Sequence, residues 1–468
     1  MDKADNVIVG SVPYSYPLSS RAERFTSPPL KYVEYLINSF NTNNILQSDD
    51  LYVTSDIKID VPNKTICLAV AENKLTHDLL LDKICSIQLK ETIKESSLNY
   101  TSASGSFEFR EILAKFMGSY LFQQEYNHKK VAYYPKPDDL IIGPGCGGLL
   151  HELSVILFEP NDSILVPTPY YPAFDHDFHD LGDVYTIEIN MMRDPNRPFD
   201  NDAYLPYTVD ALDLAYEKAI ENNHPPKAIL LTNPSNPLGI TYSVDAIMLA
   251  IKWANKKGLH VIVDEIYGLS VYNTDENSKL LPFVSVCTLL ENNLGENVHI
   301  LWSLSKDFGC SGLRVGVVYS QNKRLIKALG SCNDAFQVSS IAQDIMGVVL
   351  SDNEFVDLYF KESRKRTLIS YRRITEFLQS RNIPYVKASA GMFIYVDLRS
   401  LLRDQSFPEE ELLASKLFED VGIILTPGKV CHCPYPGFFR LCFAWVQLDV
   451  LEIAIDRINN AITKIRGY

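Results

Sequence analysis

Basic residues are under-represented in this sequence of 468 residues. Its 44 Lys and Arg are outnumbered by 58 Asp and Glu, so the formal net charge is −14. Nucleic acids and anionic membranes both attract a basic surface. This charge balance therefore argues against either of them as a partner.

Long hydrophobic runs are also missing. No apolar run reaches the roughly 18 residues that a membrane-spanning helix needs. The first residues show neither the apolar region nor the small-residue cleavage site of a secretory signal. We therefore expect a cytoplasmic protein.

The cysteines do not form a metal-binding or disulfide pattern. There are nine, an odd number, and most lie inside apolar runs, which is typical of buried, reduced thiols. Cys431-His432-Cys433 is the one dense cluster, but no second ligand pair follows at the spacing of a zinc site. We therefore predict no bound metal.

The chain length and the apolar segments predict an α/β protein of two domains. Short, continuous apolar segments flanked by Gly, Pro, Asn or Asp indicate strands buried on both faces, and hence a mostly parallel sheet with helical crossovers. These predicted strands are 140–142, 163–166, 228–231, 260–263 and 299–302. Helical periodicity predicts crossover helices at 210–222 and 244–257.

A smaller α+β domain is predicted towards the C-terminus. There a long charged helix at 353–381 precedes three short strands and a final amphipathic helix at 448–466. We predict that residues 1–94 form an N-terminal arm and part of the small domain, 95–332 the large domain, and 333–468 the rest of the small domain. Within the arm, only residues 30–40 have a helical pattern.

A glycine-rich turn, Ile142-Gly-Pro-Gly-Cys-Gly-Gly148, joins a predicted strand to a helix. Backbone amides at a helix N-terminus attract phosphate, and glycines let the backbone come close to it. A tight turn alone would also need glycines, so both readings stay open. The turn has neither G-x-G-x-x-G nor Walker A spacing, which argues against a nucleotide site and a dehydrogenase.

Three further segments lie at the carboxyl ends of predicted strands, where open α/β sheets bind ligands. They are Asn233-Pro-Ser-Asn-Pro-Leu-Gly239, Val263-Asp-Glu-Ile-Tyr267 and Ser303-Leu-Ser-Lys-Asp-Phe-Gly309, the last followed by Arg314. Acidic residues that end a buried strand are costly unless they are paired. Each segment alone could be an ordinary turn, but together they indicate a binding site.

In this order, the segments resemble those of the fold-type-I pyridoxal-phosphate enzymes, the class I/II aminotransferases and their relatives. The likeness is strongest to the 1-aminocyclopropane-1-carboxylate synthases and synthase-like proteins, and it runs from about residue 65 to the C-terminus. The other motifs that carry it are Ala71-Glu-Asn-Lys-Leu75, Pro167-Thr-Pro-Tyr-Tyr-Pro-Ala-Phe-Asp175, Cys431-His432-Cys433 and Phe439-Arg-Leu-Cys-Phe443.

The resemblance implies a fold-type-I architecture, pyridoxal 5′-phosphate as cofactor and a role for each matching residue. Lys306 would carry the cofactor and take the substrate Cα proton. Asp264 would pair with the ring nitrogen, Tyr267 and Asn236 with the ring oxygen, and Tyr171 would stack on the ring. Arg440 would clamp the substrate carboxylate. The phosphate would be held by Ser303, Ser305, Arg314 and the amides of Cys146 and Gly147.

Tyr100 lies five residues before Gly105, a spacing that resembles the aminotransferase pattern in which a Tyr reaches the phosphate of the neighbouring subunit. This implies a homodimer with shared active sites. The alternative is that Tyr100 is an ordinary buried aromatic residue.

The resemblance also implies a reaction. Glu72 matches a Glu that faces the sulfonium-bearing substrate in the synthases, although Lys74 could instead neutralise it locally. The implied activity is α,γ-elimination on S-adenosylmethionine, which yields the cyclopropane amino acid and methylthioadenosine. Transamination of an α-amino acid and carbon–sulfur cleavage by β-elimination use nearly the same residues and stay open. A non-catalytic, partner-binding protein is disfavoured because the cofactor-binding residues are all present.

Overall fold

A computed structural model describes residues 31–47, 50, 52–54, 57–59, 63–126, 129–192, 208–272 and 280–466, with residues 18, 19 and 22. Most of the predicted arm, residues 1–60, lies outside the described residues. No helix in these ranges is long and apolar enough to cross a membrane.

A seven-stranded sheet forms the centre of the molecule. Its strands are β1 (Leu140–Pro144), β2 (Ser163–Thr168), β3 (Tyr185–Asn190), β4 (Pro226–Thr232), β5 (His260–Asp264), β6 (Val298–Ser303) and β7 (Val315–Ser320). The spatial order is β1-β7-β6-β5-β4-β2-β3. β7 is antiparallel to β1 and β6, whereas β2, β3, β4, β5 and β6 pair in parallel.

Helices cover both faces of this sheet and build the C-terminal part. Those of eight or more residues are α1 (Lys31–Asn41), α2 (His77–Ser86), α3 (Phe107–Phe116), α4 (Gly145–Leu157), α5 (Phe174–Gly182), α6 (Val209–Glu221), α7 (Val244–Lys257), α8 (Lys323–Cys332), α9 (Ser340–Ser351), α10 (Asn353–Ser380), α11 (Phe407–Val421) and α12 (Leu448–Arg466). Short helical turns occupy Leu89–Thr92, Val286–Leu289 and Leu304–Asp307.

A second, smaller sheet lies in the C-terminal part. It contains β8 (Phe393–Asp397), β9 (Thr426–Pro427) and β10 (Phe438–Cys442), all antiparallel, in the order β8-β10-β9. The N-terminal part joins it through a parallel pairing of Ile66–Cys67 with Ile423–Ile424. Two isolated hairpins pair Tyr52–Thr54 with Ile57–Ile59 and Gln123–Tyr126 with Lys129–Ala132.

The α/β fold predicted from the sequence is confirmed, and every predicted strand of the central sheet is present. The sheet is larger than predicted, because β3 and β7 join it. The helices predicted at 30–40, 210–222, 244–257, 353–381 and 448–466 agree with the structure to within one or two residues at each end.

The division into domains stays a proposal, and the packing bears on its boundary. Val338, Met346 and Leu350 lie in the same buried cluster as Val263 and Ile300 of the central sheet. Tyr371, in the second half of α10, packs in the other large cluster. We therefore propose that the large domain continues through α9 into the first half of α10.

Candidate active site

A cavity of about 500 Å³ opens at the carboxyl ends of the parallel strands. β4, β5 and β6 are in register there, so that Asp264 lies opposite Thr232 on one side and Leu301 on the other. Residues from all four sequence segments line this cavity. They are Pro144, Cys146, Gly147, Gly148, Leu150, His151, Tyr171, Phe174, Asp177, Thr232, Asn236, Asp264, Ile266, Tyr267, Ser305, Lys306, Ser311 and Arg314.

One end of the cavity is formed by the N-terminus of α4. Gly145 begins the helix in the left-handed region, at φ 81°, and a Cβ there would lie 2.9 Å from the Arg314 guanidinium. Arg314 itself has a φ of 55°, and it donates to the Pro144 carbonyl at 2.9 Å. Free helix amides beside a guanidinium form a site for a phosphate group.

The two predicted serines differ in position. Ser305 lines the cavity. Ser303 is fully buried and is not among the lining residues; its hydroxyl accepts from the Ser305 amide at 3.0 Å and donates to the Val315 carbonyl at 2.8 Å. Ser303 therefore caps the turn that presents Ser305 and Lys306, and its predicted contact with phosphate is not part of this geometry.

Lys306 reaches into the cavity from this turn. Its Nζ donates to the Ala71 carbonyl at 2.7 Å. Burial lowers the pKa of Lys306, and the negative charge of Glu72 opposes that effect. A lowered pKa keeps part of the amine neutral, as nucleophilic and basic chemistry require.

Asp264 lies at the floor of the cavity, at the end of β5. Its Oδ1 accepts from the Ile266 amide at 3.2 Å, and burial raises the pKa of the carboxyl group to about 7. A cation placed against this carboxylate would compensate the cost of burying it. The same cavity wall includes Asp177, which burial and the charge of Asp264 bring to a pKa of about 7.

Asn236, Tyr267 and Arg440 form a buried network. The Asn236 amide donates to the Tyr267 hydroxyl at 3.4 Å, and the Arg440 guanidinium donates to Asn236 Oδ1 at 2.9 Å. Arg440 also donates to the Ala69 carbonyl at 2.6 Å and to Thr426 Oγ1 at 3.2 Å. Its Nε is buried and lacks a hydrogen-bond partner among the described residues.

Glu72 lies close to Lys306, because the residue before it in the chain contacts that lysine. Its neighbour Ala71 supplies the carbonyl that Lys306 contacts, and the charge of Glu72 acts on both Lys306 and Lys74. The Lys74 ammonium lies 3.4 Å from the centre of the Trp445 ring. The charge of Glu72 thus acts on two lysines, so local neutralisation by Lys74 stays an alternative to a role towards the substrate.

Tyr100 and Tyr171 lie at the surface of this single chain. Tyr171 lines the cavity and packs edge-on against Phe174. Tyr100 is 98% exposed, so it is not the buried aromatic residue that was the alternative prediction.

Sequence patterns alone did not reveal several contributors to the site. Asp177 lies on α5 with one oxygen 3.2 Å from the position of a Cβ on Gly147, so the glycine leaves room for the carboxyl group. The carbonyls of Ala69 and Ala71 are main-chain acceptors, which no side-chain pattern marks.

The residues fit pyridoxal phosphate on their own chemistry. The helix amides and Arg314 suit its phosphate, the buried Asp264 suits a protonated ring nitrogen, and Lys306 suits its aldehyde carbon. The unpartnered Nε of Arg440 leaves one donor for a carboxylate.

Comparison with known proteins agrees with this chemistry. A family model described as aminotransferase class I and II matches residues 64–458. 1-Aminocyclopropane-1-carboxylate synthase 6 of Arabidopsis thaliana is 35% identical over 411 residues, covering 86% of this chain and 79% of that protein. The synthase CMW33 of Cucurbita maxima is 33% identical over 417 residues, covering 87% and 80%.

Solved structures share the fold. An aspartate aminotransferase double mutant of Thermus thermophilus superposes with a TM-score of 0.71 at 19% identity, covering 95% of this chain and 99% of that one. The aspartate aminotransferase of Thermotoga maritima gives 0.70 at 18% identity, covering 95% and 100%. The resemblance to the fold-type-I enzymes is thereby confirmed: the chain belongs to the aminotransferase class I and II family, whose cofactor is pyridoxal phosphate.

Proposed function

We propose that this chain is a lyase of the 1-aminocyclopropane-1-carboxylate synthase type, acting on S-adenosylmethionine. The observation that carries the proposal is the placement of Glu72 next to Lys306, because an anion beside the reacting carbon favours a substrate that bears a positive sulfonium. Several relatives at 30–35% identity carry that synthase name, which supports the same activity.

The cofactor would be held by groups that line the cavity. Arg314, Ser305 and the amides of Cys146 and Gly147 would bind the phosphate, and Tyr171 would lie against the ring. Asp264 would keep the ring nitrogen protonated, and Asn236 and Tyr267 would bind the ring oxygen. When bound, pyridoxal phosphate supplies an electron sink for the pair left on Cα after proton removal.

Lys306 would perform the proton transfer. Its amine is held by the Ala71 carbonyl, and burial lowers its pKa, which favours the neutral amine that can accept the Cα proton. Arg440 would bind the substrate α-carboxylate through its unpartnered Nε and the adjacent Nη2, which requires Nη2 to give up a contact such as the one to Thr426 Oγ1.

The bonds of the proposed reaction balance without a further reactant. The Cα–H bond breaks and its proton goes to Lys306. A Cα–Cγ bond then forms as the Cγ–S bond breaks, and sulfur leaves with that electron pair as the neutral thioether of methylthioadenosine. Glu72 would attract the sulfonium in the ground state and hold Cγ towards Cα.

The direct test is incubation of the purified protein with S-adenosylmethionine, followed by measurement of methylthioadenosine and of the cyclopropane amino acid. Lys306→Ala is the blank. Formation of both products by the wild type alone would support the proposal. Absence of both, from protein that shows the absorbance band of the bound cofactor, would refute the substrate and leave transamination and carbon–sulfur cleavage to be assayed on the same sample.

Glu72→Gln tests the selectivity for a cation. We expect the KM for S-adenosylmethionine to rise about tenfold, because a charge-assisted contact of roughly 1.4 kcal/mol is lost. Inhibition by an uncharged thioether analogue should change by less than about twofold. Glu108→Gln, an exposed Glu on α3, is the matched control. Equal effects on the charged and uncharged ligands would contradict the role of Glu72.

We also propose a homodimer whose subunits share active sites, and a cytoplasmic location. The 98% exposure of Tyr100 supports the first, since the side chain is available to a second subunit. The nine cysteines, all unpaired, support the second, because reducing compartments keep thiols free.

A further inference from the structure

His432, the centre of the Cys431-His432-Cys433 motif, lies between the carboxylates of Asp175 on α5 and Glu188 on β3. Its Nε2 donates to Asp175 Oδ2 at 2.7 Å and its Nδ1 donates to Glu188 Oε1 at 3.0 Å. A neutral imidazole has only one N–H, so two carboxylate acceptors require the imidazolium. Both ring nitrogens are thereby occupied by hydrogen bonds to acids.

Several neighbours complete this cluster. The imidazole stacks on the Tyr170 ring, with centroids 4.1 Å apart and an interplanar angle of 12°. Asp175 Oδ1 accepts from the Tyr170 hydroxyl at 2.8 Å and from Thr186 Oγ1 at 2.5 Å. The positive charge of Lys218 acts on Glu188 from α6. The cluster thus holds two anions around the His432 cation, with one further cation behind Glu188.

The backbone conformation of His432 also indicates that the surrounding contacts fix this residue in place. Its φ of 59° lies in the left-handed region, which is unfavourable for a residue other than glycine. Such a conformation persists only where the surrounding contacts hold it in place. Residues held in this way are found more often at functional sites than elsewhere. Here the fixing contacts are those to Asp175 and Glu188.

The 429–433 loop, which His432 anchors, contacts a segment that lines the cavity. Tyr170 donates its amide to the Cys431 carbonyl at 2.9 Å, and the next residue, Tyr171, lines the cavity. The loop follows β9, whose Thr426 pairs with Arg440 in the sheet and accepts its guanidinium at 3.2 Å. The loop therefore connects Tyr171 and Arg440, the two residues that would position an amino-acid substrate.

We propose that His432 is a positioning residue, whose imidazolium clamps the 429–433 loop to Asp175 and Glu188 and so fixes Arg440 and Tyr171 relative to each other. Burial alone would lower the pKa of His432, but the hydrogen bonds to Asp175 and Glu188 outweigh it and raise that pKa to about 9. The clamp is therefore intact at neutral pH and opens as the pH rises through that value.

The first test needs no substrate. Histidine labelled with ¹³C at Cε1 gives nine resonances by composition, and the one that His432→Gln removes is followed by NMR from pH 5 to 10 in the holoenzyme. We expect it to titrate near 9 in the wild type and closer to 6.5 in Glu188→Gln. Titration near 6.5 in the wild type would overturn the proposal.

The second test measures positioning, and it rests on the proposed function for its substrate. In His432→Gln we expect the KM for S-adenosylmethionine to rise about fivefold while kcat changes less than about twofold. Amide hydrogen exchange at Tyr170 should accelerate about tenfold. His176→Gln, an exposed histidine on α5, is the control. An unchanged KM and unchanged exchange in a folded variant would refute the clamp.

Glu188→Gln covers the case in which His432→Gln does not fold, because Glu188 is an exposed side chain on the edge strand β3. It should show the same changes at about half the size on a logarithmic scale. If the wild type does not turn over S-adenosylmethionine at all, the NMR titration and the exchange at Tyr170 still decide the clamp, so its failure is distinct from failure of the proposed function.

Discussion

Asp307 joins the turn of the cofactor lysine to the turn that follows Tyr267. Its carboxylate accepts from the Leu269 amide at 3.1 Å, from Ser270 Oγ at 2.6 Å and from Trp302 Nε1 at 2.8 Å. The residue is 1% exposed, so water cannot replace a lost acceptor. Asp307 therefore ties the segment after Tyr267 to the turn that carries Lys306.

We expect Asp307→Ala to destabilise the protein by about 2 kcal/mol, because three buried donors would lose their acceptor. The free energy of unfolding in urea measures this loss. Asp82→Ala, at an exposed acid on α2, should change it by less than about 0.5 kcal/mol. A loss no larger than that of the control would show that the three donors find other partners.

His299 gives the stability a dependence on pH. It is fully buried on β6, contacts His260 at 3.0 Å and Ser320 at 2.8 Å, and burial lowers its pKa to about 3. The unfolded chain binds a proton near the ordinary pKa of 6.5, so this contribution is complete above that value and falls as the pH drops towards 3. The loss is up to about 1.4 kcal/mol per pH unit.

Urea unfolding of the wild type and of His299→Gln between pH 7 and 5 measures this contribution. We expect the wild-type stability to fall relative to the variant over that range, while His176→Gln runs parallel to the wild type. Comparing the two curves removes the opposite effect of Glu265 and Asp264, whose pKa values burial raises to about 8 and about 7. Parallel curves for the wild type and His299→Gln would contradict the burial argument.

At the scale of elements, α7 is a crossover helix with a defined start and end. Ser243 caps it by accepting from the Ala246 amide at 3.2 Å, and Gly258 ends it at a φ of 70°. The helix packs Trp253 and Ile251 against the sheet that carries Asp264. Its cap therefore contributes to the stability of the scaffold without contacting the cavity.

Ser243→Ala should lower the free energy of unfolding by about 1 kcal/mol, because one helix amide loses its acceptor. Ser243→Asp should retain most of the stability, since a carboxylate can accept the same hydrogen bond and favours the helix N-terminus. Product formation at saturating substrate should stay within about twofold of the wild type in both. Equal destabilisation by Ala and Asp would point to packing in place of capping.

Which elements could be predicted depended on how each one is buried. β5 and β6 are continuous apolar segments because helices cover both of their faces, and this pattern can be read directly from the chain. β3 is an edge strand whose residues alternate between exposed and buried, so it lacks such a run. β7 is fully buried as well, but Gly316 interrupts its apolar residues directly after the turn at Arg314, so the apolar pattern is less regular there. Nothing local encodes its antiparallel direction.

The same distinction applies to the residues of the site: those that follow an apolar strand could be predicted, and contacts between distant segments could not. Lys306, Asp264 and Asn236 could be located because each follows a predicted strand, and parallel strands bring their carboxyl ends together. The hydrogen bond between Arg440 and Asn236 spans 204 residues, and the one between Lys306 and Ala71 spans 235. Contacts of this kind depend on how the two sheets pack, which no short pattern specifies.

At the scale of the whole molecule, the exposed Tyr100 predicts that two inactive chains can restore each other. We expect Tyr100→Phe and Lys306→Ala to be weakly active or inactive separately. After unfolding and refolding of an equal mixture, heterodimers would have one complete site each, and activity should reach about a quarter of the wild-type value. Activity equal to the sum of the separate variants would contradict a shared site.

The short parallel pairing of Ile66–Cys67 with Ile423–Ile424 has a consequence for synthesis of the protein. Ala69 and Ala71, which hold Arg440 and Lys306, follow the first of these strands, and in the part of the chain that the structure describes this strand pairs in a sheet only with the second. Domains form as units while the chain leaves the ribosome, N-terminal parts first. Here the segment that completes the site is translated well before its sheet partner, Ile423–Ile424, and must wait for it. Capture of the cofactor in its final geometry therefore follows the synthesis of Ile423–Ile424.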